Sequence, residues 1–126
     1  ITITDIEKYL EEVKAAINAG CYRIEMNDNR KDNQDLFLDY IISEEKRKQI
    51  LLSLEATDFS EIRHNTHRGY EHELLYVFSK NVNLLRRFLP GEEQVSLYIK
   101  FNKLESRYVI VILFHKQKYP IKYMFK

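Results

Sequence analysis

The chain has 126 residues, 44% hydrophobic and 31% charged, with only three glycines and two prolines, which excludes a disordered or fibrous polypeptide and fits one globular domain, residues 1–126. Its longest apolar run, Tyr108–Phe114, is far shorter than the roughly 20 residues a membrane-spanning helix needs, so no membrane attachment is expected. The net charge of +1 conceals an asymmetry: residues 1–62 carry eight Lys/Arg against fourteen Asp/Glu, residues 63–93 five against four, and residues 94–126 seven against one, as in a chain whose C-terminal part faces a polyanion, or one with ordinary solvated surfaces of both signs.

Ile6, Tyr9, Leu10, Val13, Ala16 and Ile17 recur at helical spacing, Thr4 and Glu7 suit a capping box, and Gly20 suits the position after the helix end. The segment CYRIEM reads as a short strand and NDNRKDNQD as a polar loop, Asn and Asp being residues that satisfy turn backbones with their own side chains. LFLDYII is ambiguous between strand and helix entry. Ser43 sits where an N-cap belongs, followed by two glutamates and a stripe of Arg47, Ile50, Leu51 and Leu54, which predicts a second helix ending near Glu55.

From Thr57 the hydrophobic period changes to two. DFSEIRH and HELLYVFS read as strands joined by the hairpin loop NTHRGYE, and NVNLLRRFLPGEE as a short helical turn ending at Pro90 and Gly91. In VSLYIKF one face is apolar, leaving Tyr98 and Lys100 together on the polar face. YVIVILFH is apolar on both faces, as in a covered central strand, and emerges at His115; YPIKYMF reads as a closing strand with Pro120 at its start. The expected fold is α+β: two N-terminal helices packed on a twisted, mostly antiparallel sheet.

The first residues carry no basic leader with an apolar stretch, so no export signal is expected, and Cys21 alone forms no internal disulfide; both fit a reducing cytoplasm. There is no Gly-rich phosphate loop and no nucleophile elbow.

In the segments VKAAINAGCYR, LSLEATDFSEI leading to ELLYVF, VSLYIKF and VIVILFHKQ, the chain resembles the MqsR family of RelE-fold mRNA interferases, the toxin halves of bacterial toxin–antitoxin pairs. The resemblance spans Ile6 to Lys118. It implies a RelE-like domain, metal-independent cleavage of mRNA through attack by the 2′-hydroxyl, no cofactor, and a cognate antitoxin protein as partner. The family surrounds the scissile phosphate with two basic residues, a glutamine and a tyrosine. Tyr98 stands where the family has its tyrosine. Glu61, with Arg63 two residues on, replaces one lysine; Glu73 replaces the glutamine; His115, followed by Lys116, replaces the other lysine.

RNA cleavage of this kind needs a base for the 2′-hydroxyl proton, an acid for the leaving 5′-oxygen, and positive charge on the phosphate. Histidine serves either proton role, which makes His115 the leading catalytic candidate, with Lys100, Lys116, Lys118 and Glu61 as RNA contacts. Tyr98 is placed to bond a phosphate oxygen or stack on a base, Arg63 to supply charge, and Glu73 to act as base or simply to pair on the surface. His64, His67 and His72 cluster in the hairpin, but H-x-x-H without a carboxylate or cysteine makes no recognised zinc pattern. Either the loop overhangs the cleft, with His67 or His72 contacting phosphate or moving a proton, or it is a polar turn without chemistry. A different class also fits: a non-catalytic α+β module that binds RNA or a protein.

Overall fold

Helix α1 (Ile3–Asn18) begins at Thr2, whose hydroxyl accepts from the Asp5 amide while the Asp5 carboxylate accepts from the Thr2 amide, so the capping box lies two residues before the expected one. The computed structural model describes all residues, Ile1–Lys126. After α1 come strand β1 (Tyr22–Ile24), helix α2 (Lys31–Asp39), strand β2 (Tyr40–Ile41), helix α3 (Glu44–Leu52), a 3-10 turn (Ala56–Asp58), and strands β3 (Phe59–His64), β4 (Leu74–Arg86), β5 (Glu92–Lys103) and β6 (Val109–Lys116). The class is α+β, with three α-helices rather than two.

The sheet runs β1-β6-β5-β4-β2, with β3 also paired to β4. The β1–β6 pair is parallel and every other pair antiparallel. Strand β4 pairs with β5 along one edge, and its other edge is shared, by β3 at Leu74–Phe78 and by β2 at Leu85–Arg86. On one face, the apolar stripe of α1 and residues Ile50 and Leu51 of α3 cover Phe78, Leu84, Val95, Leu97, Ile99, Phe101, Val109, Val111 and Phe114 in a single core. Each Leu, Ile, Val or Phe buried there contributes about 1.5–3 kcal/mol.

Two β-bulges decide what the opposite face carries. In β3 the register shifts between Phe59 and Glu61, so Phe59 and Ile62 pack toward the core while Glu61 and Arg63 turn outward opposite Val77 and Leu75. In β6, Lys100 pairs with Leu113 but Phe101 pairs with Val111, which leaves Ile112 as the extra residue. An unbroken strand would put His115 on the core face with Val109 and Val111, because side chains alternate. With the bulge, Phe114 takes the core position and Leu113 and His115 face outward.

Asn33 of α2 holds that bulge. It is fully buried; its amide donates to the carbonyls of Ile112 (3.0 Å) and Glu25 (2.8 Å), and its oxygen accepts from the Phe114 amide (2.8 Å). One side chain thus continues, beyond the end of β1, the pairing that β6 would otherwise lack.

Three further expectations are corrected. NDNRKDNQD contains most of α2, whose buried stripe is only Asn33 and Leu36 and so carries little apolar signal. NVNLLRRF is not a helical turn: β4 continues through it because Asn81–Leu85 find partners in Glu92–Ser96 of β5. YPIKYMF forms no strand; Pro120 has no amide to donate, and the tail is held instead by the Met124 amide on the Phe59 carbonyl, the Ser60 hydroxyl on the Lys122 carbonyl, and Phe125 against Phe59.

Candidate active site

On the outward face, β4, β5 and β6 align Ser79, Tyr98 and His115 across three strands in register. The rings of Tyr98 and His115 stack with centroids 5.5 Å apart and planes within 11°. The apolar run of YVIVILFH predicts that His115 emerges at the strand end; in the structure it is buried, 7% exposed. The Tyr98 ring and the C-terminal tail account for this, since both border the same cavity of about 680 Å³ as His115. Leu113 lines it too, Glu61, Arg63 and Ser60 come from β3, Asp32 from α2, and Lys118 to Lys122 from the tail.

Only one tautomer of a neutral His115 fits. Nδ1 lies 2.7 Å from the Lys116 carbonyl, which only accepts, so Nδ1 carries a proton. Nε2 has no hydrogen-bond partner in the protein and is left for proton chemistry. Burial raises the Tyr98 phenol above its ordinary value, with Arg63 pulling it down and Glu61 up, so the hydroxyl is a neutral donor near pH 7.

The cations here are partly neutralised. Arg63 pairs with Glu61 at 3.0 Å and Lys118 with Asp32 at 2.6 Å, all four side chains about half exposed. Lys118 holds the Asp32 carboxyl below its ordinary value, and Asp32 in turn raises the ammonium of Lys118. Such exposed pairs are weak, about 0–1 kcal/mol, and an incoming phosphate can displace the carboxylates. Lys100, half-buried beside Tyr98 on the same face, has its pKa lowered, first by desolvation and then by Arg63 and Arg30. Glu61 opposes these effects only in part, and a desolvated cation in the field of two others is one that an anion would relieve.

No protein-family model, curated protein or solved structure matches the chain.

Of the residues expected from the sequence, the fold brings together His115, Tyr98, Arg63, Glu61 and Lys118, with Lys100 adjoining. It does not bring Lys116, Glu73, His67 or His72 to this cavity. Lys116 follows His115 in a strand and must face the other way; its ammonium lies 5.0 Å from the Tyr40 ring and 3.8 Å from Glu93. Glu73 closes the hairpin by accepting from the Asn65 side chain at 2.9 Å, and with His72 it lines a separate recess beside Tyr9, Tyr76 and Lys103. His67 is exposed, its amide bonded to the Asn65 side chain, and the His64 Nδ1 sits 3.3 Å from the Glu71 carbonyl. The hairpin histidines do not converge with a carboxylate or cysteine into a metal-holding group. Asp32, Ser60 and Lys122 also border the cavity, and no local sequence pattern marks them, because the place of each depends on a distant partner.

No helix is long and apolar enough to cross a membrane.

Proposed function

We propose that the chain is a metal-independent endoribonuclease of the RelE-like, MqsR type, the toxin of a toxin–antitoxin pair, acting on single-stranded mRNA in the cytoplasm with an antitoxin protein as its partner. The observation that carries this reading is the stacked Tyr98–His115 pair at a cavity bordered by Arg63, Lys118 and Lys122, with Nε2 of His115 unbonded within the protein.

In this reading the scissile phosphate sits over the Tyr98–His115 rung, with Arg63 and Lys118 on its non-bridging oxygens and the Tyr98 hydroxyl donating to one of them. Of the two carboxylates at the cavity, Asp32 is tied to Lys118 at 2.6 Å, more closely than Glu61 to Arg63 at 3.0 Å, and is the less free to accept a proton. Glu61 therefore takes the 2′-hydroxyl proton. The 2′-oxygen attacks phosphorus, the bond from phosphorus to the 5′-oxygen breaks, and the imidazolium of His115 delivers a proton from Nε2 to the departing oxygen. The products are a 2′,3′-cyclic phosphate and a 5′-hydroxyl. A positioned acid or base of this kind contributes about 10² to 10⁴ in rate.

The Glu61–Arg63 and Asp32–Lys118 pairs favour a second reading, a non-catalytic module that binds RNA or a protein, because they engage both of the cavity's carboxylates, the groups a general base would come from, in ion pairs. Labelled RNA incubated in EDTA with the wild-type chain and with His115→Ala separates the two. Cleavage to cyclic-phosphate ends by the wild type alone supports the nuclease. Binding without cleavage by either protein supports the module, and cleavage abolished by EDTA would require a metal mechanism. Expression of the chain alone should also arrest growth and shorten transcripts.

A further inference from the structure

The face that carries the cavity does not stop at Tyr98. Toward the β4–β5 turn the register places Asn81 opposite Ser96, Asn83 opposite Gln94, and Leu85 between Ile41 and Glu92. Two-residue steps along a strand keep these side chains on the face of Ser79, Tyr98 and His115, each rung about 7 Å from the last. Gln117, two residues past His115, joins the second rung: its amide donates to the Ser96 carbonyl and its side-chain oxygen accepts from the Ser79 hydroxyl at 3.2 Å.

Two features set these rungs apart from an ordinary solvated sheet face. The Asn81–Ser96 and Asn83–Gln94 rungs hold carboxamides and a hydroxyl but no charge, the next charge along this face being Glu92 opposite Leu85, although charged residues make up 31% of the chain. Asn is also a poor strand former, yet Asn81 and Asn83 both sit exposed in the interior of a 13-residue strand. Their hydrogen-bonding capacity is open: Asn81 accepts from the Ser96 hydroxyl at 2.6 Å and keeps its amide donors free, while the Asn83 and Gln94 side chains bond nothing in the protein. A neutral carboxamide presents a donor and an acceptor side by side, which matches a base edge and has no charge for a phosphate.

We infer that the rungs Asn81–Ser96 and Asn83–Gln94 are a base-reading subsite for single-stranded RNA: bases flanking the phosphate in the His115 cavity lie over the sheet and are recognised through their edges by Asn81, Asn83 and Gln94. This rests on the nuclease reading for the position of the scissile phosphate. The cavity supplies sequence-independent charge, and the neutral rungs supply sequence preference.

The test uses the full chain and equal-length A, U and C oligonucleotides carrying 2′-O-methyl groups, so that none can be cleaved, with affinities measured by fluorescence anisotropy at one fixed salt concentration. The variant Asn83→Thr with Gln94→Thr keeps good strand formers at exposed positions, and an unchanged melting temperature verifies its fold. The wild type should prefer one sequence, and the variant should lose at least about tenfold of that preference, the discrimination of one bidentate contact, with the salt dependence of binding unchanged. Arg63→Ala with Lys118→Ala should weaken all oligonucleotides alike. A variant with the full wild-type preference overturns the subsite while leaving the nuclease reading intact. Preference lost in the variant, with no cleavage of unmodified RNA by the wild type, upholds the subsite and removes the nuclease. No oligonucleotide binding by the wild type overturns both and leaves a protein as occupant of this face.

Discussion

Replacing Asn33 by alanine should damage both the fold and the candidate site. Asn33 satisfies the Phe114 amide and the Ile112 and Glu25 carbonyls, and the first of these bonds is fully buried. Alanine restores none of them, and α2 shields the gap from water. An unsatisfied buried polar group costs about 1–3 kcal/mol, so two or three of them come to about 2–9 kcal/mol, a large part of the 5–15 kcal/mol typical of a domain. Urea unfolding measures the loss, and hydrogen exchange at the Phe114 amide locates it. Because the bulge at Ile112 turns His115 outward, any protein that remains folded should also lose RNA cleavage. Asn33→Asp should do no better at neutral pH, since it presents oxygens to two carbonyls. A loss below about 0.5 kcal/mol with the Phe114 amide still protected would refute the clamp.

Lys100→Met should raise the melting temperature and weaken RNA binding together. Burial makes the folded state hold the Lys100 proton less tightly than the unfolded chain does, so the penalty is full below the lowered pKa and fades as pH rises toward the ordinary lysine value of about 10.4; a lower melting temperature near pH 7 would count against it. Asp32 should titrate below about 3.9 by carboxyl NMR and return to that range in Lys118→Met. Its pairing then stabilises the fold above the unfolded carboxylate pKa and is lost as pH falls through the depressed one, and an Asp32 midpoint indifferent to Lys118 would contradict the pair. His67→Ala and His72→Ala should leave cleavage within twofold of wild type, because neither residue lines the His115 cavity; a hundredfold loss in either would return the hairpin to the mechanism.

What the sequence made legible follows its periodicity. The stripe of α1 and the alternation of β5 place Ile6, Val13, Leu97, Ile99 and Tyr98 correctly because each side chain obeys its own element's period. Helix α2 escaped notice since Asn33, a polar residue, occupies its most buried position. The length of β4 was hidden by Asn81 and Asn83, whose weak strand preference is overridden by pairing with β5. The stack of His115 on Tyr98 depends on a bulge at Ile112, and in YVIVILFH an extra residue leaves no mark because both faces are apolar. The partnership of Asp32 with Lys118 is tertiary and has no local signature.

The most direct measurement is an NMR titration of the full chain with a short RNA carrying a single 2′-deoxy substitution at the scissile position. A seated phosphodiester should shift the His115 ring resonances, together with Tyr98 and the Lys118 side chain, while the hairpin from Asn65 to Glu73 stays unmoved. Shifts confined to that hairpin or to the recess beside Tyr9 and Tyr76, with His115 silent, would contradict it.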